Sequence, residues 1–145
     1  MPVRLMIVDD HADVRHLLRA IVEDAPEDVM VAGEADGATA ALEAIDRVDP
    51  DVVVLDATMP AVGGLEAAPM ILERRPGQKI VLCSAFVDQE TCDRAEEVGI
   101  AVCLSKDDLD AVPRVAYGLV TGPGLWERGP WPGERGPGDR DGGPA

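Results

Sequence analysis

The sequence predicts an α/β fold, a doubly wound sheet of five parallel strands. Three observations predict it. Short apolar runs recur along the chain, at Leu5-Met6-Ile7-Val8, Val52-Val53-Val54-Leu55, Ile80-Val81-Leu82-Cys83 and Val102-Cys103-Leu104. Runs of this length without polar alternation read as strands covered on both faces. Segments of helical period lie between them. A polar residue follows each run at once or nearly so: Asp9 and Asp10, then Asp56, Ser84 and Lys106.

The elements follow in order. Val3–Val8 is the first strand. Val14, Leu17, Leu18, Ile21 and Val22 then recur at i, i+3, i+4, i+7 and i+8, one face of a helix. Val29–Ala35 is a second, less apolar strand. Ala38–Val48 is an alanine-rich helix with Ala41, Leu42 and Ile45 on one face, ended by Asp49-Pro50. Val52–Leu55 is the third strand, Met59–Gly64 a loop, and Leu65–Arg74 a helix. Lys79–Cys83 is the fourth strand. Asp88–Val98 is a helix stopped by Gly99. Ala101–Leu104 is the fifth strand, and a last helix lies within Leu109–Val120. Right-handed crossovers then place helices on both faces of the sheet, with the flavodoxin-like strand order 2-1-3-4-5.

Composition bounds the function. The chain has 145 residues, which predicts one domain, and 46% are hydrophobic, enough for a core. A net charge of −15 repels phosphate backbones, so direct nucleic acid binding is not expected. No stretch reaches the ~20 apolar residues of a membrane span. The N-terminus lacks the apolar core and cleavage site of a signal peptide, which predicts a cytoplasmic protein. Cys83, Cys92 and Cys103 have no metal-ligand spacing and read as buried small hydrophobes. From Gly122 to Ala145, eight of 24 residues are glycine and five are proline. This predicts a folded domain with the strand pattern at 1–121 and a disordered tail at 122–145. Trp126 and Trp131 lie in that tail, and Pro130-Trp131-Pro132 is a candidate docking motif.

The carboxyl ends of the strands in such a sheet form the binding crevice. They would gather Asp9, Asp10 and Asp56 with Ser84 and Lys106. Three converging carboxylates repel one another unless a cation lies between them. Magnesium takes hard oxygen ligands and suits such a set. A carboxylate can also act as a nucleophile and form an acyl phosphate. Mg²⁺ and Lys106 would neutralise the phosphoryl oxygens, and Ser84 would donate a hydrogen bond to one of them. His11 and His16 stand at i, i+5 and do not share a helix face, so they form no metal pair. His11 alone edges the acidic pair.

These residues carry a resemblance. Val8-Asp9-Asp10, Leu55-Asp56-Ala57-Thr58-Met59-Pro60, Gly64-Leu65-Glu66, Ser84-Ala85 and Gly99 through Ser105-Lys106 resemble the receiver domain of bacterial response regulators. The resemblance covers roughly residues 3 to 120. It is strongest to receivers of the two-component family that usually carries a helix-turn-helix output domain, although no further periodic helix follows Val120. The resemblance implies Asp56 as phosphoacceptor and Asp10 as direct Mg²⁺ ligand. Asp9 would act through water, and the Thr58 backbone carbonyl would complete the metal set. It implies Ser84 as switch hydroxyl and Lys106 as phosphate-binding lysine. The phosphodonor would be a histidine kinase or a histidine phosphotransfer protein. The output would be a protein partner, or a phosphorylation-dependent homodimer through the last helices. Magnesium-dependent self-phosphorylation and dephosphorylation would be its only chemistry, so it is not expected to be an enzyme in the turnover sense.

The sequence also departs from the family. An aromatic residue often stands three positions before the lysine; here it is Cys103. Phe86 could substitute for it, or shield an acyl phosphate from water. Gly63 replaces an aspartate that would cap the following helix, at a cost of about 1 kcal/mol. Pro69 interrupts Leu65–Arg74. Pro113 and Gly118 weaken the last helix, unless Pro113 falls in its first turn. Alternatives are a non-switching receiver-like adaptor, a truncated DNA-binding response regulator and, last, a Mg²⁺-dependent phosphohydrolase. Ala57 and Thr58 supply no general acid for the last.

Overall fold

The computed structural model describes residues 1–122. Five parallel strands stand in the order β2-β1-β3-β4-β5: β1 (Val3–Val8), β2 (Val29–Ala35), β3 (Val52–Asp56), β4 (Lys79–Ser84) and β5 (Val102–Ser105). Five helices connect and follow them: α1 (Ala12–Glu23), α2 (Ala38–Val48), α3 (Gly64–Arg74), α4 (Gln89–Glu97) and α5 (Val112–Thr121). The expected strand order and parallel direction are both present. The expectations for 123–145, with Trp126 and Trp131, lie outside the described residues. No described helix is long and apolar enough to cross a membrane.

The three central strands carry the core. Val52, Val53, Val54 and Leu55 of β3 are buried, as are Leu5 to Val8 of β1 and Ile80 to Cys83 of β4. β2 is an edge strand, and its half-buried pattern explains its weaker apolar signal. Register sets the level of the strand ends. Val8 pairs with Leu55, Asp56 with Cys83, and Ser84 with Ser105. Asp9, Asp56, Ser84 and Lys106 therefore leave the sheet within about one residue of a common line, ~3.3 Å.

One helix expectation needs correction, and the two prolines take definite places. Leu17 does not join the buried face of α1; it is 51% exposed, while Leu18 and Val22 are buried and Val14 and Ile21 pack beside them. At 100° per residue Leu17 lies roughly 85° from the centre of that stripe. Pro69 lies inside α3, which runs through it to Arg74. The ring sits on the exposed side, and the lost Leu65 carbonyl acceptance is confined to one turn. Pro113 lies in the first turn of α5, where its missing N–H costs no helical bond. A 3-10 turn over Lys106–Ala111 bridges β5 to that start.

Helix starts differ in quality. Asp88 caps α4 by accepting the Thr91 N–H at 2.8 Å. α3 starts from Gly63 with no side-chain cap, as expected. A Cβ at Gly63 would stand 2.8 Å from the Ala57 carbonyl oxygen, so an aspartate cannot be added there without moving the loop after Asp56. Gly64 is tighter still: a Cβ would lie 2.5 Å from the Asp56 carbonyl oxygen. Glycine at 63 and 64 lets α3 approach the end of β3.

Gly99 ends α4 with φ +94, and a Cβ there would also stand 2.8 Å from Leu72 Cδ1. Gly99→Ala is expected to cost about 1–3 kcal/mol, read as a lower urea midpoint at unchanged m-value. All three cysteines are buried, and burial pushes the Cys83 thiol up to about 12. At pH 8 the folded protein is expected to leave a disulfide thiol reagent unreacted, with three thiols titrating on unfolding.

Candidate functional site

The site is built where β1 and β3 end side by side. Asp9 and Asp56 are 3% and 2% exposed. Asp9 is fixed from two sides. Its Oδ1 accepts the His11 backbone N–H at 2.8 Å, and its carbonyl accepts Arg15 Nη1 at 2.6 Å. Arg15 is in turn held by Glu34 of β2 at 3.2 Å, and Arg19 grips the same carboxylate. Asp56 Oδ1 accepts the Thr58 N–H at 3.2 Å.

Lys106 arrives from the end of β5. Its Nζ lies 3.0 Å from Asp56 Oδ1 and 3.4 Å from Asp9 Oδ2. One ammonium thus bridges two buried carboxylates. Burial pushes the Asp56 carboxyl above its usual range; the Lys106 and Thr58 hydrogen bonds pull it back without cancelling that, and the Asp9 charge adds to the rise. For Lys106, burial works against the charged form. The hydrogen bonds and charges of Asp56 and Asp9 outweigh it and hold the ammonium above its ordinary value.

Asp9, Asp10, His11 and Asp56 each offer one ligand atom, and these atoms all lie within 4.8 Å of one another. Two buried oxygens of this group, Asp10 Oδ1 and Asp56 Oδ2, have no hydrogen-bond donor. A buried anionic oxygen without a donor is costly. The arrangement fits a divalent cation, with hard oxygens already gathered and left open.

The structure brings together Asp9, Asp10, Asp56 and Lys106, with the Thr58 backbone against Asp56. Ser84 ends β4 nearby and is buried, but its hydroxyl is engaged elsewhere. It donates to the Phe86 carbonyl at 2.8 Å and accepts the Phe86 N–H at 3.2 Å. Phe86 is 71% exposed. Cys103 is fully buried. His11 does edge the site, as read from the sequence. Arg15 was not anticipated: its partner Glu34 is 19 residues away, and no local spacing signals that contact.

A parallel α/β sheet carrying three carboxylates and an ammonium at its carboxyl edge defines a phosphoacceptor class of protein. Residues 5–113 match the family model described as response regulator receiver domain, and the chain belongs to that family. It is 41% identical over 86 residues to the chemotaxis protein CheY of Listeria monocytogenes, covering 59% of this chain and 71% of that one. It is 37% identical over 107 residues to a protein-glutamate methylesterase/protein-glutamine glutaminase of Rhodospirillum rubrum, covering 72% of this chain and 27% of that one. The chain therefore spans about a quarter of the methylesterase. Among solved structures, the receiver domain of a response regulator NarL from Mycobacterium tuberculosis is similar at TM-score 0.71 and 32% identity, over 81% of this chain and 98% of that one. A LuxR-family response regulator from Aurantimonas sp. gives TM-score 0.73 at 28% identity, over 81% and 87%. The protein is thus a two-component signalling receiver. Receiver domains bind Mg²⁺ at an acidic pocket of the kind formed by Asp9, Asp10 and Asp56.

The raised Asp56 pKa fixes a sign. The unfolded carboxyl ionises first, so this group's contribution to stability is lost as pH rises above 3.8 through the higher folded value. Asp56→Asn removes that ionisation. It is expected to raise the melting temperature at pH 7 in chelator, and to abolish most of the rise that Mg²⁺ gives the wild type, both read by calorimetry.

Proposed function

We propose that this chain is a response regulator in which Asp56 accepts a phosphoryl group from a histidine kinase or a histidine phosphotransfer protein. The Lys106 ammonium, 3.0 Å from the buried Asp56 carboxylate, carries the reading. In the transfer, a carboxylate oxygen of Asp56 attacks phosphorus. The new P–O bond forms as the P–N bond of the donor phosphohistidine breaks, and the electron pair leaves on the donor imidazole. Lys106 stays beside Asp56 to balance charge on the phosphoryl oxygens.

The metal set in this reading is Asp10 and Asp56, with Asp9 through water and the Thr58 carbonyl as the fourth protein group. The orphaned Asp10 Oδ1 and Asp56 Oδ2 support it. A bound Mg²⁺ supplies charge neutralisation at the phosphoryl oxygens. Ser84 is the switch hydroxyl, and turning toward Asp56 requires it to release the Phe86 carbonyl. Residues 1–121 form the receiver, with 122–145 as an appended segment. The output is a change in protein binding, including self-association, and the cytoplasm is the compartment.

A second reading has support from one observation. Cys103 is buried where the family often has an aromatic switch residue. The chain would then bind its partner regardless of phosphate, as an adaptor.

Incubation with Mg²⁺ and acetyl phosphate, followed by intact-mass measurement, tests the reading. Wild type is expected to gain one phosphoryl mass, and Asp56→Ala none. Absence of the gain in folded wild type favours the adaptor.

A further inference from the structure

We propose that His11 is a ligand of the divalent-cation site, and that its nitrogen turns the site toward first-row transition ions such as Ni²⁺. The inference rests on reading Asp10 and Asp56 as metal ligands and goes beyond it, because an all-oxygen set would favour magnesium.

The geometry points there. His11 Nδ1 lies 3.2 Å from Asp10 Oδ1 and 3.3 Å from Asp9 Oδ1. Bonds of about 2.1 Å place neighbouring ligands about 3.0 Å apart around an octahedral ion and about 3.4 Å apart around a tetrahedral one. The observed separations fall between those limits. The Asp10 oxygen nearest His11 is one of the two that lack a hydrogen-bond donor. The other, on Asp56, belongs to a residue 2% exposed and within the same 4.8 Å group. The imidazole is therefore not fully explained as a donor to carboxylates; it stands beside an oxygen it does not satisfy.

The backbone holds His11 in place. It is the N-cap position of α1, its N–H is committed to Asp9 Oδ1, and its side chain makes no capping bond. The ring can act as a ligand without unwinding the helix, exchanging its 3.3 Å contact with Asp9 Oδ1 for the ion. On the opposite flank Lys106 occupies Asp9 Oδ2 and Asp56 Oδ1, leaving the side of the cluster that His11 borders for the ion.

Chemistry sets the consequence. Mg²⁺ takes oxygen donors and gains little from an imidazole. Affinity for the transition ions rises toward nickel and copper and benefits from nitrogen donors. His11→Ala should then separate the two kinds of ion.

The chain has two histidines, so the test is clean. Mg²⁺ and Ni²⁺ binding are measured by titration calorimetry at pH 7.5 for wild type, His11→Ala, His16→Ala and Asp10→Asn. Electron spin echo on bound Mn²⁺ reads the imidazole nitrogen directly. The expected result is a Ni²⁺ affinity lower by about 10- to 100-fold in His11→Ala, with Mg²⁺ affinity within about twofold. The nitrogen modulation should vanish in His11→Ala and persist in His16→Ala. Unchanged Ni²⁺ affinity, or nitrogen modulation that survives in His11→Ala, overturns the inference. Loss of Mg²⁺ binding in Asp10→Asn would then show that the oxygen site itself stands. If Asp10→Asn changes the binding of neither ion, the reading of the acidic cluster as a metal site fails, and the inference with it.

Discussion

One ammonium among three carboxylates is the constraint on which this molecule depends. Asp9 and Asp56 are almost wholly withdrawn from water, and Lys106 is the cation that bridges them. Attraction and desolvation oppose each other here. For Asp56 burial prevails; for Lys106 the two acids prevail. The cluster is left with excess negative charge and with two oxygens lacking donors. Folding therefore maintains an arrangement that favours a further cation, stability being exchanged for a charged site.

The scaffold holds that arrangement by register and close approach. Val8 opposite Leu55 makes Asp9 and Asp56 neighbours. Gly63 and Gly64 allow α3 to begin against the carbonyls of Asp56 and Ala57, where any Cβ would collide. The price of leaving α3 uncapped falls on the same segment, so the missing aspartate at 63 and the tight loop after Asp56 are two sides of one packing choice. Arg15 ties the Asp9 carbonyl to Glu34 of the edge strand, which links the acidic pair to α1 and β2 together.

Much of this was legible in the chain. The interior of a strand covered on both faces is apolar, so the point where each apolar run meets Asp, Ser or Lys marks the strand's carboxyl end. That is why Asp9, Asp10, Asp56, Ser84 and Lys106 stand out in the sequence itself. The strand order was expected from the flavodoxin-like doubly wound pattern, and crossover handedness accounts for helices on both faces. What was not legible depends on pairings between distant residues. Nothing near Arg15 announces Glu34. Leu17 satisfies i+3 spacing but stands at the margin of the stripe, and spacing alone does not weigh a residue at the margin against one at the centre. Pro113 could be placed in a first turn or an interior only once the 3-10 turn after Lys106 was known.

Ser84 and Phe86 show where the site meets the rest of the surface. The Ser84 hydroxyl both donates to and accepts from the Phe86 backbone, closing a small turn after β4. A hydroxyl has one proton, so Ser84 cannot donate to the Phe86 carbonyl and to an acceptor beside Asp56 at once. A new acceptor there would cost the bond to the Phe86 carbonyl, while the Phe86 N–H could still donate to Ser84 Oγ. Buried Cys103, small and apolar, offers no second moving part.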